Sequence, residues 1–185
     1  MTKKEDQRVT ATKQRLQEAF LRLLKTTPIH AISILELCGE AGVNRTTFYN
    51  HYGSQYDLLE NISRRFLRAI ETRLESAEAD SRESVQERVV TVLAFLEENR
   101  ELSVQLLNNN IDPAFAERIF ALPKIGDLLD AALSGCGSER QRAATISFAV
   151  HGSYRLLQEW INREERAEPR EQAELMLGLA RRVCR

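Results

Sequence analysis

Apolar side chains in this chain return at three- and four-residue intervals almost from end to end, and that spacing leaves little room for anything but helices. In QRLQEAFLRLL, Leu16, Ala19, Phe20, Leu23 and Leu24 fall at i, i+3, i+4, i+7 and i+8, the stripe of an amphipathic helix. Leu58, Leu59, Ile62, Phe66, Ile70 and Leu74 draw a second stripe. Ile146, Val150, Tyr154, Leu157 and Ile161 draw a third, and Ala173, Met176, Leu177, Ala180 and Val183 a fourth. No segment alternates apolar and polar residues over a strand's length, and 8 glycines and 4 prolines among 185 residues are too few for a turn-rich sandwich. The expected class is all-α, in one or two domains.

Punctuation divides the stripes. The first helix should stop before Pro28, and Ser33 with Glu36 three residues on has the pattern of a capping box for a short helix carrying Ile34, Leu37, Cys38 and Ala41. Gly42 then stands where a helix end needs a left-handed residue, and Asn44 is a good cap for the next short helix. Gly53 closes that helix and Ser54 caps the long one that follows. Beyond the polar stretch ESAEADSRES, helices are expected at roughly 84–99, 101–109, 113–121 and 124–133, separated by Asn108–Asn110, Pro113, Pro123 and the Gly135–Gly137 turn. The last two helices flank the charged loop REERAEPRE, and Ala149, Gly152 and Ser153 thin the first of them enough for a neighbour to approach closely.

Charge and cysteine usage exclude several functions. The net charge is only -1, yet residues 1–52 carry +3 and the remainder -4, so an anionic partner is permitted at the N-terminal end. Cys38, Cys136 and Cys184 are odd in number and far apart, which argues against a disulfide framework or a zinc site and fits a reducing compartment. Cys136 in SGCGS, with only Arg140 within a turn, is a weak candidate for an oxidisable thiol. No apolar run is long enough to span a membrane, and MTKKEDQRVTATKQ has no stretch of the kind a secretory signal requires, so a cytoplasmic location is expected. A Ser-centred elbow, H-E-x-x-H and GxxxxGK[ST] are all missing, and the histidines lie apart at 30, 51 and 151, so neither catalysis nor a cofactor is expected.

The segment AGVNRTTFYNHYGSQYDLL, Ala41 to Leu59, combines the two short helices and their turn into a helix-turn-helix. On a helical wheel Phe48 and Tyr52 point one way as anchors, Thr46, Thr47, Tyr49 and Asn50 spread over the other side, and Arg45 and His51 lie at the borders. Hydroxyls and an amide on that side can bond base edges or phosphates, Arg45 can bond guanine, and a threonine methyl can meet a thymine methyl. Spacing alone leaves a polar surface connection equally open.

ISILELCGEAGVNRTTFYNHYGSQYDLLENI resembles the DNA-binding signature of the TetR/AcrR family of bacterial transcriptional regulators, in register from Ser33 through Leu59. That resemblance implies a three-helix DNA-binding domain at 1–54 and a helical regulatory and dimerisation domain at 55–185. It places Arg45, Thr46 and Thr47 at the start of a recognition helix capped by Asn44. Tyr49 and Asn50 take its base- and phosphate-facing turn, His51 a phosphate contact, and Ser33 a cap that also donates to phosphate. Gln55 stands where many relatives have a cation. One short helix covers too few base pairs to select a genomic site, so a homodimer on a near-palindromic double-stranded operator is expected. The resemblance assigns the dimer contact to the last two helices, through Tyr154, Leu157, Ile161, Met176, Leu177, Ala180 and Val183. A small-molecule effector is expected among Phe66, Phe95, His151 and Tyr154, with Phe115, Phe120 and Trp160 nearby and Arg155 one turn from His151. A repressor is the expected function. A helical adaptor, or a regulator of the same fold answering to a protein or nucleic acid, is the alternative.

Overall fold

The computed structural model describes residues 3–78, 84–108, 111, 114–133 and 138–183, and all regular structure among them is helical. The chain divides into two compact units, Met1–Arg65 and Phe66–Arg185. The division falls inside the long helix α4, Gln55–Glu78, rather than at its start, where the expected 54/55 boundary lay. Leu58, Leu59 and Ile62 of its opening turns are buried in the first unit, so the helix is already part of a core before it leaves it.

The first unit holds α1 (Lys3–Leu24), a 3-10 turn at Ile29–Ala31, α2 (Ile34–Ala41), α3 (Arg45–Tyr49) and the start of α4. α1 ends at Leu24, where the amides of Thr26 and Thr27 fold back on the Leu23 carbonyl and Pro28 takes an extended conformation. Its apolar stripe is buried as its period requires: Leu16, Ala19 and Phe20 have no exposed surface, and they share a core with Leu37, Phe48 and Leu58, equally enclosed. Burying each such leucine or phenylalanine stabilises the unit by roughly 1.5–3 kcal/mol before chain entropy is counted. Arg22 Nε donates to Glu40 Oε1 at 2.7 Å, tying the flank of α2 to α1.

The second unit contains the rest of α4, then α5 (Val85–Glu98), α6 (Arg100–Leu107), α7 (Phe115–Phe120), α8 (Pro123–Ala132), α9 (Glu139–Asn162) and α10 (Pro169–Val183). Reciprocal capping boxes start α5, from Ser84 and Glu87, and α9, from Ser138 and Gln141. Where α5 gives way to α6 the hydroxyl of Ser103, itself fully buried, donates to the Leu96 carbonyl at 2.7 Å, closing a helix end that water cannot reach. The Leu107 carbonyl, ending α6, accepts from both the Tyr154 hydroxyl at 2.7 Å and the Gln158 amide. The charged loop between α9 and α10 is held by Arg166 on Glu97 at 2.8 Å and by the Trp160 indole donating to the Ala167 carbonyl at 2.8 Å.

Candidate nucleic-acid interface

The turn between α2 and α3 has one conformational demand, and Gly42 meets it. Its φ of 61° and ψ of 39° are left-handed, and the Val43 amide reaches back to the Cys38 carbonyl at 2.9 Å, closing the end of α2. Arg15 of α1 steadies the turn by donating to the Gly42 carbonyl at 3.3 Å. A Cβ at Gly42 would meet nothing closer than Arg15 Nη1 at 3.9 Å, so the cost of a side chain there is conformational and not steric. Gly42→Ala is therefore expected to lower stability by roughly 1–2 kcal/mol, read as a shifted urea midpoint at unchanged slope. An unshifted midpoint would show that the left-handed turn is not required.

Asn44 Oδ1 accepts from the Thr47 amide at 2.7 Å and so starts α3 as expected. Phe48 is wholly buried and Tyr52 nearly so, their ring centroids 5.7 Å apart, while Tyr49 meets the edge of Phe48 at 5.5 Å and remains half in solvent. Asn44, Arg45, Thr46, Tyr49 and Asn50 are exposed, and Thr47 and His51 are half-buried. Ser33 is exposed and its Oγ accepts from the Glu36 amide at 3.1 Å, the forward half of the expected capping box, leaving its hydroxyl proton for a second partner. The eight residues expected to touch DNA thus belong to one helix-turn-helix and keep polar atoms at its surface.

Charge inside the motif is felt through its core. Burial pushes the Cys38 thiol up from its ordinary pKa, and the Arg45 guanidinium pulls it part of the way back. Burial likewise raises the Tyr52 phenol, against a smaller opposing pull from Arg65. Gly53 does not have the left-handed backbone of Gly42; a Cβ there would meet Asp57 Oδ2 at 3.2 Å, and the bare backbone lets that carboxylate accept the Gly53 amide at 2.9 Å. Ser54 Oγ takes the Asp57 amide at 3.2 Å, so α4 begins on a fixed cap. Leu35 and Tyr56 also stand well out of the same unit, and the one sign of this in the sequence is that each falls off its helix's apolar stripe.

The second unit holds the residues expected for an effector and for a dimer contact. Of the residues expected to hold an effector, Phe66 packs on Phe95 and Phe115 with centroids 4.9 and 6.1 Å away, and Tyr154 is committed to the Leu107 carbonyl. These are core. His151 is exposed on α9, its Nδ1 2.7 Å from the Ser147 carbonyl oxygen, and Arg155 pairs with Glu159 instead of turning toward it. A cavity of about 90 Å³ includes Phe120, whose ring lies 6.4 Å from that of Tyr154, together with Val92, Leu93, Leu128 and Leu157 among other apolar residues, with Ser153 the one polar side chain in its lining. Of the residues expected at a dimer interface, Tyr154, Leu157, Ile161 and Leu177 are buried within the protomer. Met176 and Ala180 are half-buried and Val183 is exposed. The outward apolar residues are Phe148 at 65% exposure, Leu175, Leu179 at 39% and Val183, and Phe148, Leu179 and Val183 border a groove of about 500 Å³ between α9 and α10. Both helices carry apolar residues off the stripe, and the core takes the stripe only in part: Tyr154, Leu157, Ile161, Ala173 and Leu177 are buried while Val183 is exposed.

Cys38 is buried and unpaired, whereas Cys136 and Cys184 lie outside the described residues. Among the described residues no cluster of His, Cys, Asp and Glu could hold a metal ion, and no helix is long and apolar enough to cross a membrane.

A capped, glycine-turned helix pair with an exposed polar face, followed by an all-helical second unit, has the form of a helix-turn-helix regulator. Residues 17–62 match the model for bacterial regulatory proteins of the tetR family, and residues 83–182 that for a transcriptional regulator C-terminal region. The chain belongs to the TetR family of transcriptional regulators. It is 33% identical over 83 residues to the HTH-type transcriptional regulator YxbF of Bacillus subtilis (strain 168), a match covering 44% of this chain but only 22% of that relative. Its fold is like that of a TetR transcriptional regulator from Streptococcus agalactiae, with a TM-score of 0.71 at 20% identity over 95% of this chain and 97% of the other. It is also like that of Thermus thermophilus FadR, a TetR family transcriptional repressor in complex with lauroyl-CoA, with a TM-score of 0.56 at 18% identity over 91% and 92% of the two chains.

Proposed function

We propose that this protein is a repressor that binds a near-palindromic operator as a homodimer and is released by an apolar small molecule. The observation that carries the DNA contact is the two-sided character of α3: Phe48 is locked in the core, while Arg45, Thr46, Tyr49 and Asn50 stand outside it. In this reading Ser33, Asn44 and His51 bond phosphates, Arg45, Thr46 and Thr47 meet base edges, and Tyr49 and Asn50 serve both. The second copy docks on the outward face of α9 and α10, through Phe148, Leu179 and Val183, and Met176 and Ala180 edge that groove. Repression follows from occupancy, since a bound dimer covers DNA that polymerase requires; the Thermus relative is a repressor of the same fold.

The effector belongs in the apolar cavity, whose lining selects against charge. Support comes from the same relative, which holds lauroyl-CoA, a ligand with an apolar acyl chain. A coupling of about 1–3 kcal/mol between cavity and operator is enough for induction.

Thr47→Ala and Tyr49→Ala test the recognition surface. Each is expected to weaken binding to a selected operator by roughly 1–3 kcal/mol while thermal unfolding stays close to the parent's. The parent's affinity for duplex should also fall steeply with salt, as contacts to several phosphates require. If both variants bind like the parent, α3 is not the reading helix.

A further inference from the structure

Among the described residues of the first unit, the large apolar side chains that stand well out into solvent are Leu35, Tyr49 and Tyr56, and all three lie in the short segment that builds the motif. Tyr49 and Tyr56 carry hydroxyls that can bond phosphate or water. Leu35 has none, and at 69% exposure it is the most exposed of the large apolar side chains described.

Its position on α2 says what it faces. On a wheel at about 100° per residue, Leu37, Cys38 and Ala41 form the buried side, with Leu35 off one edge and Glu40 off the other. The Glu40 edge is turned to α1, where Arg22 holds it at 2.7 Å. The Leu35 edge adjoins Cys38, whose carbonyl accepts the amide of Val43, in the turn leading into α3, at 2.9 Å. One turn further along that edge is Gly39, where a Cβ would find nothing within 4 Å. This flank of α2, which leads to the turn before α3, is therefore slim and uncovered, and it offers one apolar side chain among hydrogen-bonding ones.

We propose that Leu35 reads the C5-methyl of a thymine at the edge of the operator half-site, making α2 a second base-reading element beside α3. In the major groove that methyl is the apolar group on a base edge, and an aliphatic side chain gains by shielding it from water. The inference rests on the reading of the segment from Ser33 to His51 as the DNA surface, and it adds a preference for A·T at one flanking position that the polar residues of α3 do not supply.

The test uses the full chain and a duplex selected from a random pool. Each thymine of the selected site is replaced singly by deoxyuridine, which removes only the methyl, and each duplex is titrated with the parent and with Leu35→Ala. At one position per half-site, deoxyuridine should cost the parent about fourfold in affinity, the worth of one buried methyl group. Leu35→Ala should lose about three- to tenfold on the thymine duplex and be indifferent to deoxyuridine at that position. Because Leu35 is exposed, the variant should melt with the parent. The proposal is overturned if Leu35→Ala binds the selected duplex like the parent, or if its loss is the same with and without every methyl. A pool that yields no enriched sequence overturns the DNA-binding reading itself, a different result from either.

Discussion

Phe48→Ala should lower stability by about 3–5 kcal/mol and abolish duplex binding with it. The side chain has no exposed surface and is packed against two tyrosine rings, with centroids 5.5 and 5.7 Å away. α3 has only five residues, far fewer than a helix needs to persist by its own hydrogen bonds, so its orientation depends on this anchor. Since whole domains are stable by about 5–15 kcal/mol, one such cavity is a large fraction of the total. Tyr49→Ala makes the contrast, because Tyr49 is 50% exposed: its loss should leave the unfolding curve within about 0.5 kcal/mol while weakening DNA binding. Urea unfolding followed by fluorescence anisotropy on a labelled duplex separates the two effects. A Phe48→Ala protein as stable as its parent would mean that α3 is anchored by something other than its buried ring.

The second large effect is expected where the second unit faces out. Phe148→Glu combined with Leu179→Glu sets charges on the groove between α9 and α10, in place of side chains with 65% and 39% exposure. Sedimentation should then give monomers, and affinity for the palindromic operator should fall toward its non-specific level, by about three orders of magnitude. Both positions are open to solvent, so the monomer should stay folded. A charge at Leu177 could not make this test, because that residue is buried in the protomer and an unpaired carboxylate there would unfold it. Met176 is also a poor probe, since it lines both the internal cavity and the outer groove. A variant that remains dimeric in the centrifuge would remove this face from the account.

The two units differ in how much of them could be read in advance. In the first, most decisions are local: Asn44 caps because its side chain reaches an amide three residues on, Gly42 turns because left-handed backbone costs it little, and Ser54 starts α4 in the same way. Even here two features escaped. Gly53 matters for the approach of Asp57 and not for its own φ, and Leu35 is exposed although its type favours burial. In the second unit the helices stand near their expected places, but the inward face of each was not legible. Leu157, Ile161 and Leu177 went to the core while Phe148 and Leu179 went outside, and His151, expected with Tyr154 around an effector, lies on the solvent side.

The amino-acid order alone determined that this chain is helical, where its helices begin and end, and that residues 33–59 form a helix-turn-helix, since caps, turns and a three-to-four-residue period act over a few residues. Tertiary packing decided which apolar residues α9 and α10 bury, where the cavity lies, and how far along α4 the first core extends. Those choices depend on what stands opposite each helix across the core, and a periodicity within one helix carries no information about its neighbours.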